Sequence, residues 1–313
     1  MKLSSQTKKR LPMQIMIVLG VALLTYHSAA DWFATRNHNA ELSGYVDAVE
    51  QMPKENRDAE LALARSYNEK MPQGPLRDPY AYDVNPEQED AAFTDYTKLL
   101  AAAPSGVMGR LSYPSAGINL PIYHGTADSV LSRGVGHLYG SSLPIGGEGT
   151  HSVLTSHSGL VNAKLFSELP AKTRVGDIFT VTVLGETSRY QVDQILTVLP
   201  DQSDALRIVP GEDYVTLITC TPIGVNSHRL LVRGTRIADL PEQEDQRQEV
   251  AGDGVTAGFP WWIVWLVGGV GLSVIVFLPL PRRDRIDEAT APGREQTDDV
   301  EALSSEETSE LVR

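Results

Sequence analysis

The sequence predicts a mainly β domain, preceded by helices and tied to a membrane by one or two apolar helices. Three observations carry this reading. From Gly106 to Asp239 apolar side chains recur with a period of two, the period of a strand with one buried face. From Asp31 to Met71 they recur with the period of a helix. Between Phe259 and Pro281 no residue is charged, and about 20 apolar residues cross a bilayer as a helix.

Composition narrows the function classes. The 313 residues include 27 Lys+Arg against 40 Asp+Glu, a formal net charge of −13, which argues against a protein that tracks nucleic-acid phosphates. With 42% hydrophobic and 21% charged residues the chain is globular as a whole. The single cysteine excludes an intramolecular disulfide and any zinc site built on two or more thiolates.

Taken in chain order, residues 1–10 carry Lys8, Lys9 and Arg10 and read as a cytoplasmic N-terminus. Residues 11–30 are a signal peptide or a transmembrane helix. Ser28-Ala29-Ala30 resembles a cleavage site, and the retained span is preferred. In residues 31–105, Leu42, Tyr45, Val46 and Val49 form one helical stripe. A second helix covers Arg57 to Lys70, and the break at Met52-Pro53 makes the two a hairpin. A Pro-rich irregular stretch follows. A third helix then carries Phe93, Tyr96, Leu99 and Leu100 on one side.

Residues 106–240 hold the strands. Phe179, Val181 and Val183 alternate with Thr180 and Thr182; Val192, Leu196 and Val198 alternate with polar residues. Short strands punctuated by Gly, Pro and Asp indicate a small barrel or sandwich. Residues 241–258 read as a linker. The span at 259–281 has Trp261, Trp262 and Trp265 at its start and Arg282, Arg283 and Arg285 just beyond its end, which places that end in the cytoplasm. Residues 282–313 read as an acidic, disordered cytoplasmic tail. The region from Asp31 to Gly258 is thereby outside the membrane.

The lone cysteine, Cys220, ends the β-rich run from Tyr214. Arg229 opens the next run after an eight-residue loop. If these strands pair, thiol and guanidinium face each other. A fixed cation favours the thiolate, and arginine offers five N–H donors to an acyl oxygen. An inert buried cysteine beside a surface arginine is the alternative on spacing alone. His157 lies in a turn after a β-like run and is a candidate proton donor. His124, His137 and His151 sit in similar Gly-rich surroundings, so chemistry alone does not select among them. No close ligand triplet supports a zinc site.

Several segments resemble class C, pilin-polymerising sortases. They are Leu217-Ile-Thr-Cys220-Thr-Pro, Asn226-Ser-His-Arg229-Leu-Leu-Val-Arg-Gly234, Pro121-Ile-Tyr-His-Gly-Thr126, Gly134-Val-Gly-His137 and Thr155-Ser-His157-Ser-Gly159-Leu160. The resemblance implies an eight-stranded sortase-like β-barrel with an N-terminal helical hairpin and a lid. It implies catalytic roles for Cys220 as nucleophile, His157 as acid and Arg229 as substrate clamp. Arg77-Asp78-Pro79-Tyr80 matches the lid motif of the class, so Asp78 is expected to pair with Arg229 and Tyr80 to cover Cys220. Three positions depart from the pattern: Ser156 where glycine is common, Ser158 where arginine is common, and Ile223 where tyrosine is frequent.

The implied activity is cleavage of an LPXTG-like sorting signal between Thr and Gly, with transfer of the acyl group to a pilin lysine. No cofactor is expected. Expected partners are pilin or surface-protein substrates and the lipid bilayer, with no nucleic acid. The expected location is the cell membrane of a Gram-positive type envelope, with the catalytic domain outside. Two alternatives are a sortase that anchors surface proteins to cell-wall peptide and a non-catalytic, membrane-tethered binding module.

Overall fold

A computed structural model describes residues 5–71, 76, 78–80, 91–238 and 257–277. The predicted linker and tail, and Arg77 of the predicted lid, lie outside the described residues apart from Ala257 and Gly258. Helix α1 runs unbroken from Ser5 to Gln51, so the proposed cleavage site at Ser28–Ala30 sits within a continuous helix. Its first half exposes Leu19, Leu23, Leu24 and Tyr26. The helix is long and apolar enough from Leu11 onward to cross a membrane. The described part of the C-terminal run is a shorter apolar helix that the chain reaches last, Trp261–Phe277.

The C-terminal half of α1 packs on the barrel. Tyr45 is buried; its hydroxyl donates to the Met108 carbonyl at 3.1 Å and accepts the Leu184 N–H at 2.8 Å. Helix α2 spans Lys54–Lys70 after the break at Pro53 and contributes Leu61 and Ala64 to the same core. The break at Met52-Pro53 falls where the sequence predicts it. Helix α3 is shorter than expected, Ala91–Tyr96. Leu100 adopts φ 58° and is fully buried, so the chain turns there instead of extending the helix.

Eight strands follow: β1 Val107–Tyr113, β2 Ile118–His124, β3 Val135–His137, β4 Thr150–Thr155, β5 Ile178–Val183, β6 Glu186–Val198, β7 Asp213–Thr221 and β8 His228–Arg236. Short helices α4, Asp128–Leu131, and α5, Leu169–Lys172, lie in the connections. The strands close into a barrel in the order β1-β2-β3-β4-β7-β8-β6-β5. Closure removes sheet edges that would otherwise seek partners. Two of the contacts, β2 with β3 and β4 with β7, are parallel; the rest are antiparallel. The helix C-terminal to the barrel, Trp261–Phe277, is α6.

Strand β5 shows the expected alternation, with Phe179, Val181 and Val183 buried inside. Strand β7 does not: Val215 through Cys220 are all buried. The reason is a second apolar cluster on its outer face, Leu138, Val153, Leu206, Ile218 and Leu231, capped by Leu76 and Tyr80. Gly234 on β8 is required by packing. A Cβ there would stand 2.6 Å from the Phe179 ring. Phe179 in turn stacks on Tyr190 with centroids 5.6 Å apart, the aromatic floor of the barrel.

Candidate active site

The end of β7 and the start of β8 build the site. In their antiparallel register Cys220 lies opposite Arg229 and Thr221 opposite His228. Directly opposed residues project to the same face with Cβ atoms about 5 Å apart. Both side chains are largely buried, Cys220 at 7% and Arg229 at 8% residual exposure. The thiol and the guanidinium therefore share one environment, as the spacing suggested.

Arg229 is held on every side. Its Nε donates to Asp78 Oδ1 at 2.8 Å and its Nη2 to Asp78 Oδ2 at 2.7 Å, a two-pronged pair. Its Nη1 donates to the carbonyls of Asn226 and His228. The guanidinium carbon lies 5.0 Å from the centre of the Tyr80 ring, within cation–π range. The Asp78 carboxylate raises the pKa of Arg229 by this pairing. The Cys220 thiol is also pushed up, first by burial and further by Asp78, while Arg229 pulls the other way. Burial and the Asp78 carboxylate thus both disfavour the thiolate.

Tyr80 is anchored at both ends. Its hydroxyl donates to the carbonyls of Ser156 at 2.6 Å and Ile218 at 3.2 Å, and accepts from Thr155 Oγ1 at 2.7 Å. Burial raises its pKa well above the free value, so it stays a neutral donor. Its ring lies 5.7 Å from the ring of His157. Asp78 and Tyr80 thus stand over Arg229, with the Tyr80 ring beside His157. Pro79, Val198, Leu206, Ile218 and Leu231 line a groove that reaches Arg229 from the outer face of the sheet.

His157 follows β4. Its carbonyl accepts the Phe166 N–H, which closes the loop between them. Its Nε2 lies 2.9 Å from Asp128 Oδ1, and the imidazole is partly exposed. Asp128, the first residue of α4, was not singled out from the sequence. Its only signal was an acidic residue opening a helix after Thr126 and Ala127, a pattern too common to select it.

The three departures from the family pattern have structural accounts. Ser156 Oγ donates to the Gly134 carbonyl at 2.5 Å, tying the histidine loop to β3. Ser158 Oγ donates to the carbonyl of Cys220 at 2.8 Å, linking the residue after His157 to the cysteine strand. Ile223 packs on Gly159, whose φ of +78° and lack of a Cβ allow that approach. The loops that carry His157 and follow Cys220 are thus joined by a hydrogen bond and an apolar contact. Among the described residues no group of three or more His, Cys, Asp or Glu side chains could hold a metal ion.

Known proteins resemble this chain in the same region. The Sortase domain family matches residues 111–237. The crystal structure of sortase C-1 from Actinomyces oris is 46% identical with a TM-score of 0.56, and the alignment covers 59% of this chain and 99% of that one. The pilus-related sortase C of Group B Streptococcus is 44% identical with a TM-score of 0.57, covering 62% of this chain and 96% of that one. Among curated sequences, sortase A of Streptococcus agalactiae serotype III (strain NEM316) is 29% identical over 118 residues, 37% of this chain. The chain spans about half, 47%, of that relative's length. With a closed eight-stranded barrel of the same architecture and near-complete coverage of relatives above 40% identity, the chain belongs to the sortase family.

Proposed function

We propose that this chain is a membrane-anchored cysteine transpeptidase that polymerises pilin subunits. The reading rests on one observation above others: Cys220 and Arg229 face each other on β7 and β8, with His157 brought near through the Tyr80 ring and Ser158. The similarity to a pilus-related sortase C adds support for the substrate class.

In the proposed reaction the Cys220 thiolate attacks the threonine carbonyl of an LPXTG-like signal. The C–N bond to glycine breaks, and a thioester forms on Cys220. Arg229 donates hydrogen bonds to the oxygen that gains charge. His157 as imidazolium delivers its proton to the departing glycine amine. A lysine amine of another pilin subunit then attacks the thioester, passes a proton to His157 and releases the thiolate. The groove lined by Val198, Leu206 and Ile218 suits the apolar leading residues of such a signal.

Asp78 and Tyr80 act as the lid in this reading. The carboxylate occupies the donors that the substrate oxygen needs, and the ring fills the space beside His157. Turnover then requires the segment to leave. Residues 11–30 are retained as a span, and the Arg282, Arg283 and Arg285 end of the C-terminal span is cytoplasmic, which puts the barrel outside the cell.

The test is mass spectrometry of the full chain incubated with an LPXTG-type peptide. An adduct on Cys220, resolved faster by a pilin lysine than by a cell-wall peptide amine, is expected. An adduct resolved only by the wall amine assigns the chain to surface-protein anchoring. Absence of any adduct both in the parent and in Asp78→Ala refutes the enzyme reading and leaves a binding module.

A further inference from the structure

The two apolar helices lie against each other in opposite directions. The Trp32 and Trp262 rings are 6.3 Å apart, and Phe33 and Trp262 are 5.7 Å apart. Trp32 Nε1 donates to the Gly258 carbonyl. Further along, a Cβ at Gly269 would stand 2.9 Å from Val21. Trp32, Phe33, Trp261 and Trp262 therefore form an aromatic layer at one level of the pair, where such rings favour the membrane interface. The exposed apolar run of α1 lies on its N-terminal side.

The loop that follows His157 reaches past this layer. His27 Nδ1 hydrogen-bonds the Val161 carbonyl at 2.6 Å. Asp31 accepts the Lys164 N–H at 3.0 Å and pairs with its ammonium at 3.2 Å. With a rise of 1.5 Å per residue, His27 stands about 7.5 Å closer to the apolar segment than Trp32. Val161 is 62% exposed at that level. Ile223, packed on Gly159, and Val225 on the same loop are 48% and 69% exposed. No charged residue occurs in Ser158–Ala163 or Thr221–Ser227. An uncharged rim with three exposed aliphatic side chains thus borders the cleft beside the membrane end of α1.

We propose that Val161, Ile223 and Val225 form a lipid-docking surface, so that the active-site cleft opens at the bilayer interface and a peptide enters it along the membrane. The proposal rests on α1 and α6 being spans, and not on the chemistry assigned to Cys220.

The test uses the full chain with Cys220→Ala, which leaves no native thiol, and a fluorophore attached to one new cysteine at a time. The sites are L23C, V161C, V225C and K54C. Each protein is reconstituted into phosphatidylcholine–phosphatidylglycerol vesicles holding shallow or deep nitroxide-labelled lipids. Labels at 161 and 225 should lose about half their emission to the shallow quencher, as expected for side chains buried ~5–10 Å into the interface. The label at 23 should respond to the deep quencher. The label at 54, on α2 beyond the far end of α1, should respond to neither. Quenching at 23 without quenching at 161 and 225 overturns the docking surface while leaving the spans. Failure at 23 overturns both. A label at 161 that is indifferent to lipid but shifts on addition of a sorting-signal peptide assigns the rim to the substrate, and overturns the proposal.

Discussion

Two histidine environments in this barrel share one side-chain chemistry and differ in everything around it. His137 is fully buried; its Nε2 donates to the Ser142 carbonyl at 2.8 Å and its Nδ1 accepts from the Tyr96 hydroxyl at 2.7 Å. Burial holds its pKa down to about 4, so it stays neutral. His151 is similarly closed, between the Arg207 carbonyl and Thr216 Oγ1. His157 instead has, among the described residues, one hydrogen-bond partner for its ring, at Nε2: the carboxylate of Asp128, which is itself 87% exposed. A proton carrier needs a nitrogen free to gain and lose its partner, and the closed rings lack that. The contrast separates a histidine that holds the fold from one whose partly exposed ring suits the proton transfer proposed for it.

The largest effects should come from the site side of this comparison. Cys220→Ala should leave only background transpeptidation, and His157→Ala should lower the rate by about 10²–10⁴-fold, typical of a lost general acid. Both should keep the unfolding midpoint of the parent. A large loss of Tm in His157→Ala would break the distinction.

His137→Ala should do the reverse. It empties a fully enclosed space, removes the ring's hydrogen bond with the Tyr96 hydroxyl and takes the ring donor from the Ser142 carbonyl, at a cost of about 2–4 kcal/mol in urea unfolding. Activity per folded molecule should be little changed. The parent should also lose stability as pH falls from 6.5 toward 4. In that range the unfolded chain binds a proton at position 137 that the folded chain refuses, so acid favours unfolding. Burial lowers the pKa of His124 and His151 in the same direction. A flat stability profile across this range would mean that these rings are not closed in solution.

A smaller effect is expected at the lid. Asp78→Ala removes a charge that disfavours the thiolate and frees the guanidinium of Arg229. The midpoint for labelling Cys220 with a thiol reagent should move to lower pH, with faster labelling at pH 7. Unchanged labelling would show that Asp78 does not shield the thiol in solution. The smallest effect is Asp128→Asn. An exposed ion pair is worth about 0.2–1 kcal/mol, so a rate loss of roughly 1.4- to fivefold is expected. A loss as large as that of His157→Ala would make Asp128 a full partner in proton transfer.

The period of two in residues 106–239 carried the barrel, and it was strongest where a strand has one wet face, as in β5. It faded in β7, because a second cluster covers the outer face and both sides are apolar. The stripe of the third helix continues through Leu99 and Leu100, yet the helix ends at Tyr96. Their burial is achieved through a turn with Leu100 in a left-handed conformation, which no periodicity reports.

The sequence by itself determined the strand-rich domain between two apolar helices, the single thiol, and the eight-residue loop that lets Cys220 and Arg229 meet. These follow from local periodicity, composition and the short reach of a hairpin. Tertiary structure alone decided which histidine stays open, which carboxylates stand at Arg229 and His157, and that the histidine loop touches α1 at His27 and Asp31. Those contacts join residues far apart in the chain. Their partners are chosen by the closure of the barrel and the packing of its loops, and no local pattern of residues encodes that choice.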